Sequence, residues 1–449
     1  MSYFLNLKYP TFVVKCYKPA IMTKQRLYLL FLFVISLNSI SITAQTLEVD
    51  ADLRARFEYR HGFNNLFPDN ANPAAFVNQR SRLNFNYTAE KLQLFIAVQD
   101  VSIWGDTRQI LAVDGNDSFS VFEAWGQLEI SENWSTKLGR QVLSYDDERI
   151  FGGLDWAMQG RFHDAALLMY RKDNFMMDLG GAFSQETERN EGNDFNIQGF
   201  FTYKAMQYAY LKKSWEKSSA SFLFLNTGFQ DFDVNNIADG VSYRHTTGSY
   251  FKFPVQNVSF AGSAYYQFGK ANAATDLAAY QVSLEATYKK NKVLYGVGLE
   301  ILSGTDQDGA TKNNSFFPLY GTNHKFNGFM DYFYVGNHAN NVGLNDFYAK
   351  MVFTTGEKSN LLVKGHYFAA NADLTGNADA YLGTEIDIVY TQALMKNVKL
   401  NVGYSQMFAS DSMSLIKGGR PNDNTNNWGW VQLIINPNLF TTNLDKNTN

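Results

Sequence analysis

The stretch LEVDADLRARFEYR, Leu47–Arg60, decides the fold. Leu47, Val49, Ala51, Leu53, Ala55, Phe57 and Tyr59 share one parity, and Glu48, Asp50, Asp52, Arg54, Arg56, Glu58 and Arg60 share the other. Successive side chains of a strand point to opposite faces, so this is an extended ribbon with one apolar and one charged face. Strands in soluble sheets average about 5–6 residues, whereas a tilted strand needs roughly 9–11 to cross a bilayer. Leu47–Arg60 is long enough to cross. A Lys or Arg facing lipid near the midplane costs about 2–4 kcal/mol, so the charged parity belongs inside a closed barrel.

The same unit recurs at Asn78–Ala89, Leu92–Trp104, Phe119–Ile130, Trp134–Leu143, Arg161–Arg171, Phe175–Phe183, Phe200–Trp215 and Ser219–Phe229. It continues at Thr246–Phe253, Asn257–Gly269, Leu277–Lys289, Lys292–Gly304, Leu344–Thr355, Ser359–Ala370, Ala380–Leu394, Val398–Ala409 and Asn427–Asn436. Together these make an all-β, transmembrane antiparallel β-barrel of about 18 strands, an even number as single-chain outer-membrane barrels require. Asp194–Trp215 is read as one strand, because splitting it gives an odd total.

Connections alternate in length. Glu90–Lys91, Lys172–Asn174, Lys290–Asn291 and Lys396–Asn397 are short turns, while Ser144–Gly160 and Thr305–Gly343 are long and rich in Asn, Asp and Gly. Short periplasmic turns opposite long external loops are the asymmetry of such barrels, which places both chain ends on the periplasmic side. Tyr208, Tyr210, Trp215, Tyr265, Tyr266, Tyr288, Tyr295, Tyr348, Tyr367, Tyr390, Tyr404, Trp428 and Trp430 fall mostly near strand ends, where amphipathic rings are expected to form girdles at the headgroups.

Composition agrees. Charged residues make up 18% and aromatics 16%, against about 25% charge in ordinary soluble chains. Lys and Arg (39) do not exceed Asp and Glu (43), so there is no basic excess to neutralise phosphates, and nucleic acid is excluded as a partner. Residues 1–44 read as a signal peptide with an upstream extension. Lys24 and Arg26 precede the apolar run Leu27–Leu37, and small and polar residues follow up to Ala44. Residues before Met22 lack this logic, which makes Met22 the expected start. The single cysteine, Cys16, lies in this leader, so the exported part, 45–449, is one barrel domain without disulfides.

One segment departs from the simple strand pattern: Lys137–Tyr170 concentrates Arg140, Asp146, Asp147, Glu148, Arg149, Asp155, Arg161 and Asp164 around Gly152, Gly153 and Trp156. Arg–carboxylate pairs at this density can lock a loop folded into the pore, with the glycines giving the bend; a surface loop with solvated ion pairs is the plainer reading. Parity alone assigns Arg54, Arg56, Arg80 and Arg82 to the lumen. Arg140 shares parity with the apolar Leu138, so either a bulge shifts the register there or Arg140 lies above the membrane.

Gly139-Arg140-Gln141, then Tyr145-Asp146-Asp147-Glu148-Arg149, Asp155-Trp156, Gln159-Gly160-Arg161 and Asp164, resembles the bacterial alginate-export porin family, as does Trp104-Gly105-Asp106 at the end of the third strand. His163 and the heavy acidic cluster Asp146–Glu148 depart from that pattern. The resemblance implies a monomeric channel of the cell outer membrane, set in outer-membrane lipid, that passes an anionic polysaccharide or oligosaccharide by passive diffusion. Arg140, Arg149 and Arg161 would line or brace the constriction, and Asp155 and Asp164 would position them. Guanidinium forks match the carboxylates of a polyuronate. The alternatives are a general, small-anion or oligosaccharide porin, and, from another class, an outer-membrane enzyme or adhesin.

No catalytic or metal residues are expected. His61, His163, His245, His324, His338 and His366 form no pair at ligand spacing. Asp306-Gln307-Asp308-Gly309 resembles the start of a calcium loop without its later bidentate Glu. No nucleophile elbow, phosphate loop or dinucleotide fingerprint appears, so neither an enzyme nor a cofactor is expected.

Overall fold

The computed structural model describes residues 45–107, 119–199, 201–334, 338 and 341–443. The leader, 1–44, and the expected strand start at Phe200 lie outside the described residues. The first nine strands are β1 (Thr46–His61), β2 (Ala74–Thr88), β3 (Leu92–Ile103), β4 (Ser120–Glu129), β5 (Trp134–Gln141), β6 (His163–Lys172), β7 (Phe175–Phe183), β8 (Ala205–Ser214) and β9 (Ser219–Phe232). Next come β10 (Ala238–Val255), β11 (Val258–Asn272), β12 (Thr275–Lys290), β13 (Val293–Leu302) and β14 (Leu344–Gly356). The last are β15 (Ser359–Ala369), β16 (Tyr381–Met395), β17 (Val398–Ala409), β18 (Asn426–Ile435) and β19 (Asn438–Asn443). Each pairs antiparallel with its sequence neighbour, except that β18 and β19 both pair with β1 and so close the sheet.

β18 and β19 are two parts of one stave. β18 lies along Leu53–His61 and β19 along Thr46–Asp50. Pro437 separates them because proline has no N–H for the ladder; its carbonyl still accepts from Ala51 N at 3.1 Å. The barrel therefore has 18 staves, the expected number. Most bounds fall within two residues of the expected ones. β10 is much longer, because the hairpin of β9 and β10 runs past the polar residues Asp239 and Ser242 with a register shift between Ala238 and Val241.

Parity behaves as lipid demands. Leu53, Phe57, Leu83, Phe85, Ile96 and Val282 are exposed on the outer face, while Arg54, Arg56 and Arg80 are buried inside. The aromatics divide, and this corrects the girdle. Trp215, Tyr266, Tyr288, Tyr295, Tyr367 and Tyr404 face outward, but Tyr208, Tyr210, Tyr265, Trp428 and Trp430 are buried. Proximity to a strand end did not decide the matter; parity did.

The buried apolar core lies inside the barrel. Leu143, Ile150 and Phe151, between β5 and β6, join Phe316, Phe317, Leu319, Tyr320, Met330, Tyr332 and Phe333, between β13 and β14. Both loops fold inward and pack against wall residues such as Tyr208, Tyr265, Phe368 and Trp428. Each large apolar side chain so removed from water contributes about 1.5–3 kcal/mol.

Candidate constriction

The loop between β5 and β6, residues 142–162, crosses the lumen because three walls grip it. On β1 and β2, Arg54 and Arg80 each donate to the Asp155 carboxylate at 3.1 Å, and Arg54 Nη1 donates to its carbonyl at 2.7 Å. Arg56 donates to the Trp156 carbonyl at 2.8 Å and lies 4.0 Å over the indole. Arg82 holds Gln99 on β3 at 2.6 Å, and Gln99 donates to the Gln159 carbonyl at 2.9 Å. On β8 and β9, Asp146 accepts from Tyr210 (2.8 Å), Lys212 (3.2 Å) and Ser221 (2.5 Å). On β13, Glu300 takes a two-pronged pair from Arg149 at 2.7 and 2.9 Å.

The second inward loop clasps the first. Phe151 pairs with Tyr320, Gly152 N donates to the Tyr320 carbonyl at 2.9 Å, and Thr322 N donates to the Glu148 carbonyl at 2.9 Å. Asn323 and Asn327 accept from Arg149 at 3.3 and 2.9 Å. Arg161 donates to the Gly321 carbonyl at 2.8 Å and lies 4.5 Å over Phe201. Gly152 is required for closeness, not bending: a Cβ there would stand 2.3 Å from Thr322 Oγ1. The bends fall instead at Asp146, Glu148 and Leu154, which hold positive φ.

Three expectations for site residues need correction. Arg140 is not in the constriction: it pairs with Asp164 at 2.9 and 3.0 Å on the outward face at the loop end of β5. The β5–β6 register runs unbroken through Arg140↔Asp164, so no bulge turns it inward. Asp164 consequently positions Arg140 outside the lumen. Asp155 positions Arg54 and Arg80 rather than Arg140, Arg149 or Arg161. Arg149 and Arg161 hold the second inward loop through Asn323, Asn327 and the Gly321 carbonyl, and Arg54, Arg56 and Arg80 are buried on the inner face with Arg82 bonded to Gln99.

Sequence reading treated Thr305–Gly343 as an external loop and missed His324, Asn323 and Asn327. Trp156 and His324 stack with ring centres 4.3 Å apart and planes 12° apart, and His324 Nδ1 lies 2.9 Å from Asp331. Two cavities meet at this pair. One of about 460 Å³ opens toward the loops beside Arg56, Arg60 and Asn78. The other, about 570 Å³, lies toward the turns beside Arg54, Asn401, Trp430 and Gln432.

Where the β1–β2 wall meets the loop, positive charge is in excess. Arg54, Arg56, Arg60, Arg80 and Arg82 stand around Asp52, Glu58 and Asp155, while Glu48 and Asp50 continue the same face toward the turns. The guanidinium groups are largely buried, yet the Asp155 side chain above them is 71% exposed, so their excess charge is felt through a lumen-facing carboxylate. Around β12–β16 the carboxylates Glu285, Glu300, Asp346, Glu385 and Asp387 predominate over Lys350 and Lys364. In the loop, burial and then nearby Glu300 push the Asp147 carboxyl up to about 6.

Asp306, Gln307 and Asp308 serve as a latch. They accept from Asp373 N (3.0 Å), Thr375 N (2.9 Å) and Thr375 Oγ1 (2.6 Å), tying the long loop to that between β15 and β16.

No protein-family model and no curated sequence matches the chain. Solved structures do. Acinetobacter baumannii OccAB4 aligns with TM-score 0.59 at 12% identity over 91% of this chain and 100% of that one. The outer membrane protein opdK of Pseudomonas aeruginosa gives 0.58 at 11% over 90% and 100%, and P. aeruginosa OpdL gives 0.56 at 14% over 89% and 99%. Over nearly its whole described length, then, this chain has the fold of the Occ and Opd barrels.

Proposed function

We propose that the chain is an outer-membrane porin through which small anions, simple acids and short acidic oligosaccharides, pass by passive diffusion. Its turns would face the periplasm and its loops the exterior, with residues 1–44 removed on export. A sheet closed on itself leaves no unpaired edge, which supports a monomer. The reading requires no chemistry of the wall, only passage. It rests chiefly on one observation: a loop clamped across the lumen against a wall where five guanidinium groups meet three carboxylates. Rings of Arg are an established means of anion selection.

Passage of a long polysaccharide is less well supported. The two inward loops pack apolar side chains into the loop half of the barrel, and the space left beside them includes cavities of about 460 and 570 Å³. Such volumes suit small molecules. The arginine of the Gly139-Arg140-Gln141 run, which carried the resemblance to the alginate-export family, faces away from the path. The likeness to Occ and Opd barrels favours the small-solute alternative.

Reversal potential across a planar bilayer under a KCl gradient tests this. Anion preference with no block by polymannuronate is expected. Cation preference would remove the anionic reading, strong polymannuronate block would restore the polysaccharide one, and folded protein without conductance would overturn the porin itself.

A further inference from the structure

The turn-side rim of the barrel is unevenly charged. Lys213 and Lys217 flank Trp215 at the β8–β9 turn, and Lys289, Lys290 and Lys292 crowd the β12–β13 turn. Lys358 and Lys396 stand at the β14–β15 and β16–β17 turns. Across the turns from β8 to β17 the only acidic residues are Glu216 and Glu357. The other turns show no such excess: Glu90 adjoins Lys91, Asp173 adjoins Lys172, and Glu132 adds a further acid. The chain carries a net charge of -4, so this basic sector runs against its overall sign. All these lysines are exposed, and none makes an ion pair or side-chain hydrogen bond among the described residues.

The lipid-facing wall ends beside them. Trp215 is 54% exposed between its two lysines, Tyr288 and Tyr295 pair across the β12–β13 ladder on the outer face, and the exposed Met395 adjoins Lys396. Rings with an apolar body and a polar tip settle at the headgroup level. Lys290 follows Tyr288 by two residues, so it shares that outward parity and extends the face by about 7 Å toward the turn. From there a lysine lays its methylenes along the apolar band and carries its ammonium into the phosphate layer. This position selects among anionic partners. A polymer or protein in bulk water would meet the ammonium groups alone, whereas a phospholipid meets rings and ammonium together.

We propose that the turn-side rim from β8 to β17 is a docking surface for phospholipids of net negative charge, with the unpaired lysines holding their phosphates and Trp215, Tyr288 and Tyr295 packing against the chains just above. The surface goes beyond solute passage and does not depend on it, since it requires only a barrel set in a membrane.

The probe is dibrominated phosphatidylglycerol, with dibrominated phosphatidylcholine as its zwitterionic counterpart, each mixed into phosphatidylcholine vesicles holding the folded full chain. Bromine quenches tryptophan at contact, and the quenching lost in Trp215→Phe reports the β8–β9 turn. Phosphatidylglycerol should be preferred there about fivefold or more, the effect of even one lysine close to an anionic surface. In 1 M KCl, where screening acts within about 3 Å, the preference should vanish. Lys213→Gln with Lys217→Gln should abolish it, and Glu216→Gln should strengthen it. Equal quenching by the two lipids, a preference indifferent to salt, or one unchanged by the lysine substitutions overturns the surface. So does a preference lost in Trp104→Phe instead, because Trp104 is exposed at the loop end of β3 and would place the lipid on the opposite rim. If the double lysine variant fails to fold, salt and Glu216→Gln still decide: no response to either is fatal.

Discussion

At the scale of single residues, the constriction depends on charges whose roles differ by exposure. Arg149 and Glu300 are 2% and 5% exposed at their side chains and bind in two-pronged fashion. Removing one partner of such a pair costs about 3–5 kcal/mol because the other charge stays buried. Arg149→Leu should therefore release the loop, seen as faster proteolysis between 142 and 162 and as larger, noisier single-channel currents. Asp155 is the opposite case. It is solvent-facing, so Asp155→Asn should leave the loop docked by the carbonyl bonds of Arg54 and Arg56, while unmasking Arg54 and Arg80. Anion preference in reversal-potential measurements should rise. Asp147 adds pH dependence. Its carboxyl titrates at about 6, so on acidification through that value the lumen loses a negative charge beside Glu300, Arg149 and Lys325. Anion preference should grow between pH 7 and 5, and Asp147→Asn should abolish the change.

Among elements, the strands were legible and the loops were not, for a physical reason. Lipid punishes a wrong parity along every crossing strand, so alternation survives in each one and a single chain reveals it. The loops obey no such local rule. The charge density of Lys137–Tyr170 did betray an inward fold, since its residues need partners. The segment 303–343 carries mostly Asn, Phe, Tyr and Gly there, and its inward course is set by contacts with residues far away in the chain, such as Gly152 and Glu385. Arg140 shows how a motif misleads: a Gly-Arg-Gln run fixes a strand end but not which face the arginine takes. Parity with Leu138 was the better guide. The two loops should also depend on each other. Gly152→Val puts side chain where Thr322 stands, and overpacking of this kind costs about 1–3 kcal/mol. Conductance should then rise as the clasp opens, with barrel assembly unaffected on heat-modified gel migration.

For the whole molecule, membrane and lumen impose separate tests on adjacent residues. Leu53→Arg places a charge on the lipid face and should impair insertion by about 2–4 kcal/mol, measured by urea-dependent folding into vesicles. Arg54→Leu should insert normally yet loosen the loop, because it removes a guanidinium that grips Asp155. Equal effects of both on insertion would invert the assigned faces. The Pro437 interruption has a consequence for how this barrel forms. The pairing of Thr46 with Asn443 joins residues almost as distant in sequence as the described chain allows, so ring closure is the contact of greatest loop entropy and belongs late in folding. The split stave turns that closure into a zipper with two rows of teeth. The row from Leu53 to His61 can mesh with β18 by itself, and the row from Thr46 to Asp50 follows once β19 arrives. A chain truncated at Pro437 would therefore close at its loop end and remain flared at its turn end, offering the start of β1 as an open edge to any strand that reaches it.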